Sequence, residues 1–206
     1  HILWAILFIA FPLIFVVYYA FTDASGGFTF DNILALSDYA GTFGLSVCFA
    51  LTATVICLLI AYPLAYFITM QSARAQSVLV MLAMLPMWMN FLLRTLAWQT
   101  LLEKTGVINS VLKFFSLPTL NIINTPYAIV LGMVYNFLPF MVLPIYNALS
   151  KIDDNVIQAA RDLGANGLQV FLKITLPLST PGIISGITMV FVPALTTFVI
   201  SKLLGG

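Results

Sequence analysis

Residues 44–70 read GLSVCFALTATVICLLIAYPLAYFITM and contain no charged side chain. A helix needs about 20 apolar residues to cross the roughly 30 Å of hydrocarbon in a bilayer. This run is long enough to do so as one helix. It predicts that the chain is an integral membrane protein built of transmembrane helices.

The composition of the whole chain points the same way. Of the 206 residues, 62% are apolar and only 7% are charged, whereas an ordinary soluble domain carries roughly 25% charged residues. So few charged side chains cannot coat the surface of a soluble fold of this size. The net charge of +1 gives no indication of a nucleic-acid partner.

Four further segments are long and apolar enough to cross a membrane. With the first run they predict an all-α polytopic transmembrane helix bundle, a single domain over 1–206 with five visible spans. We also expect N-terminal trimming before His1, because no initiator methionine is present, and a sixth span beyond Gly206. The predicted spans are 1–21, 44–70, 76–102, 127–149 and 178–201.

Lysine and arginine in short loops predict the orientation, because they accumulate on the cytoplasmic side. The loop 22–41 has neither residue and is expected outside, which places Arg74 and the segment 150–177 inside. Lys104 and Lys113 then lie outside. Within that outer loop, residues 108–115 are apolar on one side and predict a short helix lying at the membrane interface.

The most charged part of the chain is the segment 150–177. Asn155 is a candidate helix N-cap, and Gln158 three residues later can reach back as in a capping box. The resulting helix, 156–163, would end at Gly164, a residue that adopts the left-handed conformation easily. The sequence therefore predicts a short cytoplasmic helix here.

A second short helix is predicted directly afterwards. Asn166 can cap it, with Gln169 three residues on, and we expect it to end at Lys173 before the last span. Such a helix–turn–helix is too polar to cross the membrane, and the small side chains of Ala159 and Ala160 allow another surface to approach. The segment therefore predicts docking to a soluble partner.

This segment resembles the cytoplasmic EAA loop of bacterial ABC-importer permeases. The family pattern is Glu-Ala-Ala, three residues, Gly, nine residues, then Ile-x-Leu-Pro, and this chain departs from it only in having Gln158 in place of glutamate. The matching positions here are Gln158, Ala159, Ala160, Gly164, Ile174, Leu176 and Pro177.

The resemblance implies that the loop forms a coupling helix seated on a nucleotide-binding subunit. ATP and Mg would then be held by separate ATPase subunits, because this chain has no Gly-x-x-x-x-Gly-Lys-Ser/Thr loop and is expected to bind no cofactor itself. The residues that would carry the coupling are Asp154, Asn155, Gln158, Ala159, Ala160, Arg161, Leu163 and Gly164.

Longer stretches are similar to the spermidine/putrescine permeases, namely 62–67, 138–146, 159–165 and the tail 201–206. That similarity implies a type I ABC importer of polyamines in the bacterial inner membrane. Its other parts would be a homologous second permease, two ATPase subunits and an extracellular or periplasmic substrate-binding protein. Importers of iron, sulfate and phosphonate share the loop, so a metal chelate or an oxyanion remains an alternative substrate.

Several polar and aromatic side chains in the spans are candidates for the translocation path. The alternatives are an aromatic belt or helix packing for the rings, and snorkelling or an interhelical bond for Arg94. No Asp or Glu lies deep in a span, so we expect an external binding protein to recognise the solute. The candidates are Trp88, Asn90, Arg94, Trp98, Tyr135 and Asn136.

No catalytic or metal site is predicted. His1 is the only histidine, and Cys48 and Cys57 are too far apart on one helix for a disulfide. An intramembrane enzyme would need a nucleophile–base pair or paired acids, which the spans lack, and a purely structural membrane subunit is a third possibility. Gly182 and Gly186 form a Gly-x-x-x-Gly pair that favours close helix approach.

Overall fold

The computed structural model describes residues 4, 6–23, 26–197, 200–201 and 204–205. The chain divides into two compact units, 1–46 and 47–206, which are described separately. Among the described residues the regular structure is helical except for one antiparallel bridge between Thr22 and Phe28. The all-α prediction is confirmed.

The first unit is built around helix α1, Ile6–Ala20, whose opening residues Ile6–Ala10 form a π-helical stretch. Its apolar side chains are exposed. After α1 the chain turns back, and the Asn32 side-chain amide donates to the carbonyls of Tyr19 and Thr22, both at 3.1 Å. Of the predicted span 1–21, residues 1–3 and 5 lie outside the described residues.

In the described residues α1 is followed by a short helix, Asp31–Leu34, a 3-10 helix, Ala35–Tyr39, and then seven longer helices. The first of them begins in the first unit and continues into the second, and the others lie in the second unit. They are α2 (Ala40–Thr69), α3 (Ala73–Trp88), α4 (Phe91–Leu102), α5 (Val107–Phe114), α6 (Pro126–Leu149), α7 (Asp154–Asp162) and α8 (Gly167–Thr196).

Among the described residues, α2, α6 and α8 are each long and apolar enough to cross a membrane. A fourth crossing is possible only if α3 and the following Phe91–Phe114 count as one, and these two are bent by 89°. The predicted span 76–102 is therefore not one straight helix. The bend follows Pro86, which lacks an N–H, and lies where Met89 and Asn90 are extended, with ψ of 146° and 132°.

One stripe of α2 consists of small side chains and is buried. These residues recur every three or four positions and have no exposed surface, as expected for one face of a helix. The Cys57 thiol donates to the Val134 carbonyl of α6 across 3.7 Å, while Cys48 is exposed; both thiols are free. The stripe comprises Ala50, Ala53, Cys57, Ala61 and Ala65.

Helices α6 and α8 pack closely against each other in the second unit. A Cβ on Gly182 would lie 2.5 Å from Ala148 Cβ and 2.6 Å from the Pro144 carbonyl oxygen, and one on Gly186 would lie 2.6 Å from Met141 Sδ. Only glycine leaves room for backbones this close. The prediction of a close-approach Gly-x-x-x-Gly pair is confirmed.

Candidate functional site

The predicted docking segment is present as α7 and the turn that follows it. The helix begins at Asp154 because the Asp153 carboxylate accepts a 2.9 Å hydrogen bond from the Asn155 backbone N–H. The prediction that Asn155 is the N-cap is therefore wrong. The aspartate two positions earlier already has the extended backbone that a cap needs, with ψ of 126°.

Gly164 ends this helix, as the sequence predicts. Its φ is +84°, in the left-handed region that glycine enters without a steric penalty. The Gly164 N–H donates to the Arg161 carbonyl at 2.8 Å, and the Ala165 N–H donates to the Ala160 carbonyl at 3.0 Å. These two bonds satisfy carbonyls that the helix end would otherwise leave without partners.

The capping box predicted at Asn166 is confirmed. Its side chain accepts from the Gln169 N–H, and the Gln169 side chain accepts from the Asn166 N–H, each at 2.9 Å. The predicted end at Lys173 is wrong, because α8 continues without a break to Thr196. The wider π-helical turn Phe171–Thr175 precedes Pro177 and relieves the clash that proline makes with the preceding turn.

The candidate coupling residues lie on α7 and the turn that follows it, and most of them are exposed. Leu163 is 89% exposed, and Ala160 is partly buried. An apolar side chain this exposed, beside small residues, marks a surface that another molecule can cover. The remaining exposed members are Asp154, Asn155, Gln158, Ala159, Arg161 and Gly164.

One side of α7 faces a cavity of about 420 Å³. Asp154, Gln158 and Arg161 line it together with Thr69 and Gln76, among others, from the ends of α2 and α3. Gln158, which replaces the glutamate of the family pattern, is thus one of the side chains between α7 and the helix ends.

Gln76 ties the membrane helices together at this end. Its side-chain carbonyl accepts from the Tyr146 hydroxyl at 3.0 Å, and its amide donates to the carbonyls of Thr69 and Gln71 at 3.1 and 2.8 Å. One side chain therefore joins α2, α3 and α6 directly beneath α7.

An aromatic cluster fixes the start of α8 against α2. The Phe171 ring makes edge contacts with the rings of Tyr62 and Tyr66, at centroid distances of 5.8 and 5.9 Å. The Tyr62 hydroxyl is also 2.9 Å from the Ser179 hydroxyl. Sequence reasoning missed this cluster, although the four-residue spacing of the two tyrosines indicates a shared helix face.

We expect Phe171→Leu to lower the thermal stability of the purified permease through loss of these ring contacts. Edge-to-face aromatic pairs contribute about 0.5–1.5 kcal/mol beyond area burial. In a double-mutant cycle with Tyr66→Leu, the coupling energy from thermal unfolding should fall in that range. Phe67→Leu, at the next and 53% exposed position, is the control. An equal coupling for Phe67 would contradict the assignment.

Three of the six path candidates meet. The Trp98 and Tyr135 rings are 5.2 Å apart at their centroids, and the Arg94 guanidinium lies 5.9 Å from the Tyr135 centroid. Arg94 is only 7% exposed, and its guanidinium donates to the Pro86 carbonyl across the bend between α3 and α4. This matches the predicted alternative of an interhelical bond rather than snorkelling.

The other three candidates have separate surroundings. Asn90 caps α4, with its side chain accepting from the Leu92 N–H at 2.9 Å, and Trp88 is 74% exposed. Asn136 is buried in α6, where its amide donates to the Gly132 carbonyl at 2.7 Å and its side-chain oxygen has no hydrogen-bond partner among the residues that the structure describes. The structure does not assemble all six into one site.

Comparison with known proteins identifies the chain's relatives. Residues 61–206 match the family described as "Binding-protein-dependent transport system inner membrane component". The chain is 36% identical to the spermidine/putrescine transport system permease protein PotB of Haemophilus influenzae, with 98% of this chain and 74% of that protein aligned. Identity to PotB of Escherichia coli K12 is 37%, over 98% of this chain and 78% of that protein.

These relatives are membrane permeases rather than enzymes. The apolar helices α2, α6 and α8 of this chain agree with a location in the membrane. The extent of the match covers α3 to α8 and the end of α2, including the exposed α7 surface. The chain belongs to the family of inner membrane components of binding-protein-dependent transport systems.

Proposed function

We propose that this permease imports polyamines such as spermidine and putrescine in an ATP-driven transporter. The observation that carries the proposal is the similarity, over 98% of the chain, to permeases named for spermidine and putrescine transport. The EAA-type pattern at Gln158 to Gly164 supports the ATP-driven part, because its residues lie on an exposed helix.

The proposed complex contains this chain, a homologous second permease, two ATPase subunits and an external substrate-binding protein. ATP and Mg are held by the ATPase subunits. The α7 surface, from Asp154 to Gly164, contacts one of these subunits, and closure of the ATPase pair displaces it. Because Asn166 caps α8 immediately after the turn, this displacement reaches a membrane-crossing helix directly.

The proposed path uses Trp98 and Tyr135, whose faces can accept an ammonium group by cation–π contact. Arg94 beside them repels a polycation, so its role is to hold the corner at Pro86 and to gate the path rather than to bind the solute. In the described parts of α2, α3, α4, α6 and α8 there is no Asp or Glu. Selectivity therefore comes from the external binding protein.

Uptake into proteoliposomes tests the substrate. The chain is reconstituted with its second permease and ATPase subunits, and radiolabelled spermidine, sulfate and an iron chelate are supplied with the cognate binding protein. We expect ATP-dependent accumulation of spermidine alone, and none with a non-hydrolysable ATP analogue. Accumulation of sulfate or of the chelate instead would assign the permease to a different solute.

A further inference from the structure

The segment 103–121 lies at the opposite end of the bundle from α7. It precedes α6, whose 24 residues span about 36 Å, whereas α7 follows that helix. The short helix predicted at 108–115 is present as α5, Val107–Phe114, and its place at the membrane interface stays a prediction. None of these residues belongs to the proposed coupling surface or path.

Asn109 holds this segment in one shape. It is 2% exposed, and its amide donates to the carbonyls of Glu103 and Leu120 at 3.0 and 2.9 Å, while its side-chain oxygen accepts from the Leu120 N–H at 2.8 Å. A Cβ on Gly106 would lie 2.5 Å from the Thr100 carbonyl oxygen. The orientation of α5 is therefore fixed by the fold before any ligand binds.

One face of α5 is apolar and has no covering element among the described residues. Val107, Val111 and Phe114 recur at spacings of four and three and are 59%, 50% and 84% exposed. Ile108 and Leu112 on the other side are partly buried. A short amphipathic helix of this kind in a membrane protein lies in the interface with its apolar face in the acyl region.

Two lysines lie toward the polar side of α5, which also carries Asn109. Lys104 and Lys113 line a cavity of about 260 Å³, together with Asn109, Thr119, Leu120 and Asn121. No carboxylate is among these lining residues, although Glu103 is next to Lys104 in sequence. The cavity thus offers two lysines and neutral polar side chains to an anion.

We propose that this cavity binds the phosphate of an anionic phospholipid, whose acyl chains lie along Val107, Val111 and Phe114. An acidic lipid headgroup joins a negative charge to an apolar body, and Lys113 and Phe114 present the complementary pair at adjacent positions. A free phosphate would leave the apolar face without a partner. The proposal depends on membrane residence and not on the polyamine assignment.

Native mass spectrometry of the full chain in detergent tests this proposal. The protein is titrated with phosphatidylglycerol and, separately, with phosphatidylethanolamine. We expect tighter binding of phosphatidylglycerol, and about tenfold or greater weakening in Lys104→Gln/Lys113→Gln, since each lysine near an anionic surface contributes a several-fold effect. Lys104→Arg/Lys113→Arg should keep the binding, and Phe114→Ser should weaken it.

Lys151→Gln/Lys173→Gln, which removes the same charge at the other end of the bundle, is the matched control and should bind phosphatidylglycerol as the wild type does. Equal weakening in both double variants would overturn the proposal, because it would show a general charge effect. Displacement of the lipid by millimolar inorganic phosphate would overturn it in favour of a free-anion site. If Lys104→Gln/Lys113→Gln lost its association with the external binding protein while its lipid binding stayed unchanged, the cavity would be a protein interface and the proposal would be overturned.

Discussion

Replacing Ala159 with tryptophan should reduce ATP-driven uptake by roughly five- to 150-fold while leaving the permease folded in the membrane. Ala159 is exposed on α7 in the centre of the surface proposed to contact the ATPase. Extra volume at a close-packed contact costs about 1–3 kcal/mol. A cost of this size weakens the affinity between permease and ATPase by roughly five- to 150-fold. Uptake and co-purification of the ATPase both report the effect.

Ala73→Trp is the control for this experiment. Ala73 is an exposed alanine at the start of α3, near the same end of the bundle but outside α7. We expect normal uptake and normal ATPase co-purification for this variant, and normal membrane levels for both. If Ala159→Trp transported at the wild-type rate, α7 would not be the contact surface and the coupling part of the proposal would fail.

A second large effect is expected for Gly182→Leu, which should destabilise the folded bundle by about 3 kcal/mol or more. The new side chain would start 2.5 Å from Ala148 Cβ and 2.6 Å from the Pro144 carbonyl oxygen. A backbone atom cannot rotate aside as a flexible side chain can, so α6 and α8 must separate. Loss of a folded, monodisperse peak in detergent chromatography measures this.

Gly44→Leu makes the same chemical change in α2, where a Cβ would have no atom within 4 Å. That variant should fold normally, since leucine also has the higher helix propensity. Gly182→Ala should fall between the two, because its single methyl group meets the same atoms. A normal chromatographic profile for Gly182→Leu would show that α6 and α8 are not in contact as described.

The membrane helices could be predicted because their signal is local. An uncharged run such as 44–70 has few alternatives to a helix, since every backbone polar group in lipid must be satisfied within the helix. Gly164 and Gly182 could also be predicted from the sequence, because each position requires glycine. Gly164 has a positive φ, and Gly182 lies against the backbone of another helix. The family pattern from Gln158 to Pro177 depends on fixed spacing, which a single sequence contains in full.

The errors came from competition between neighbouring residues. Asp153 and Asn155 are both good caps, and the choice depends on which backbone is extended. The bend of 89° after α3 depends on how Arg94 and Asn90 form hydrogen bonds around Pro86. The hydrophobic periodicity of the sequence does not indicate these bonds. The cluster of Phe171 with Tyr62 and Tyr66 joins residues more than 100 positions apart, so it could not be read from local pattern.

The uninterrupted course of α8 gives the molecule a long lever. Thirty residues of continuous helix measure about 45 Å, so a tilt of about 10° around the midpoint carries each end roughly 4 Å in opposite directions. Helical structure runs from Gly167 to Thr196, and the π-helical turn Phe171–Thr175 with Pro181 and Pro193 marks the places where it can bend. In the proposed coupling, a displacement of α7 therefore reaches the other end of α8 as a movement of several ångströms.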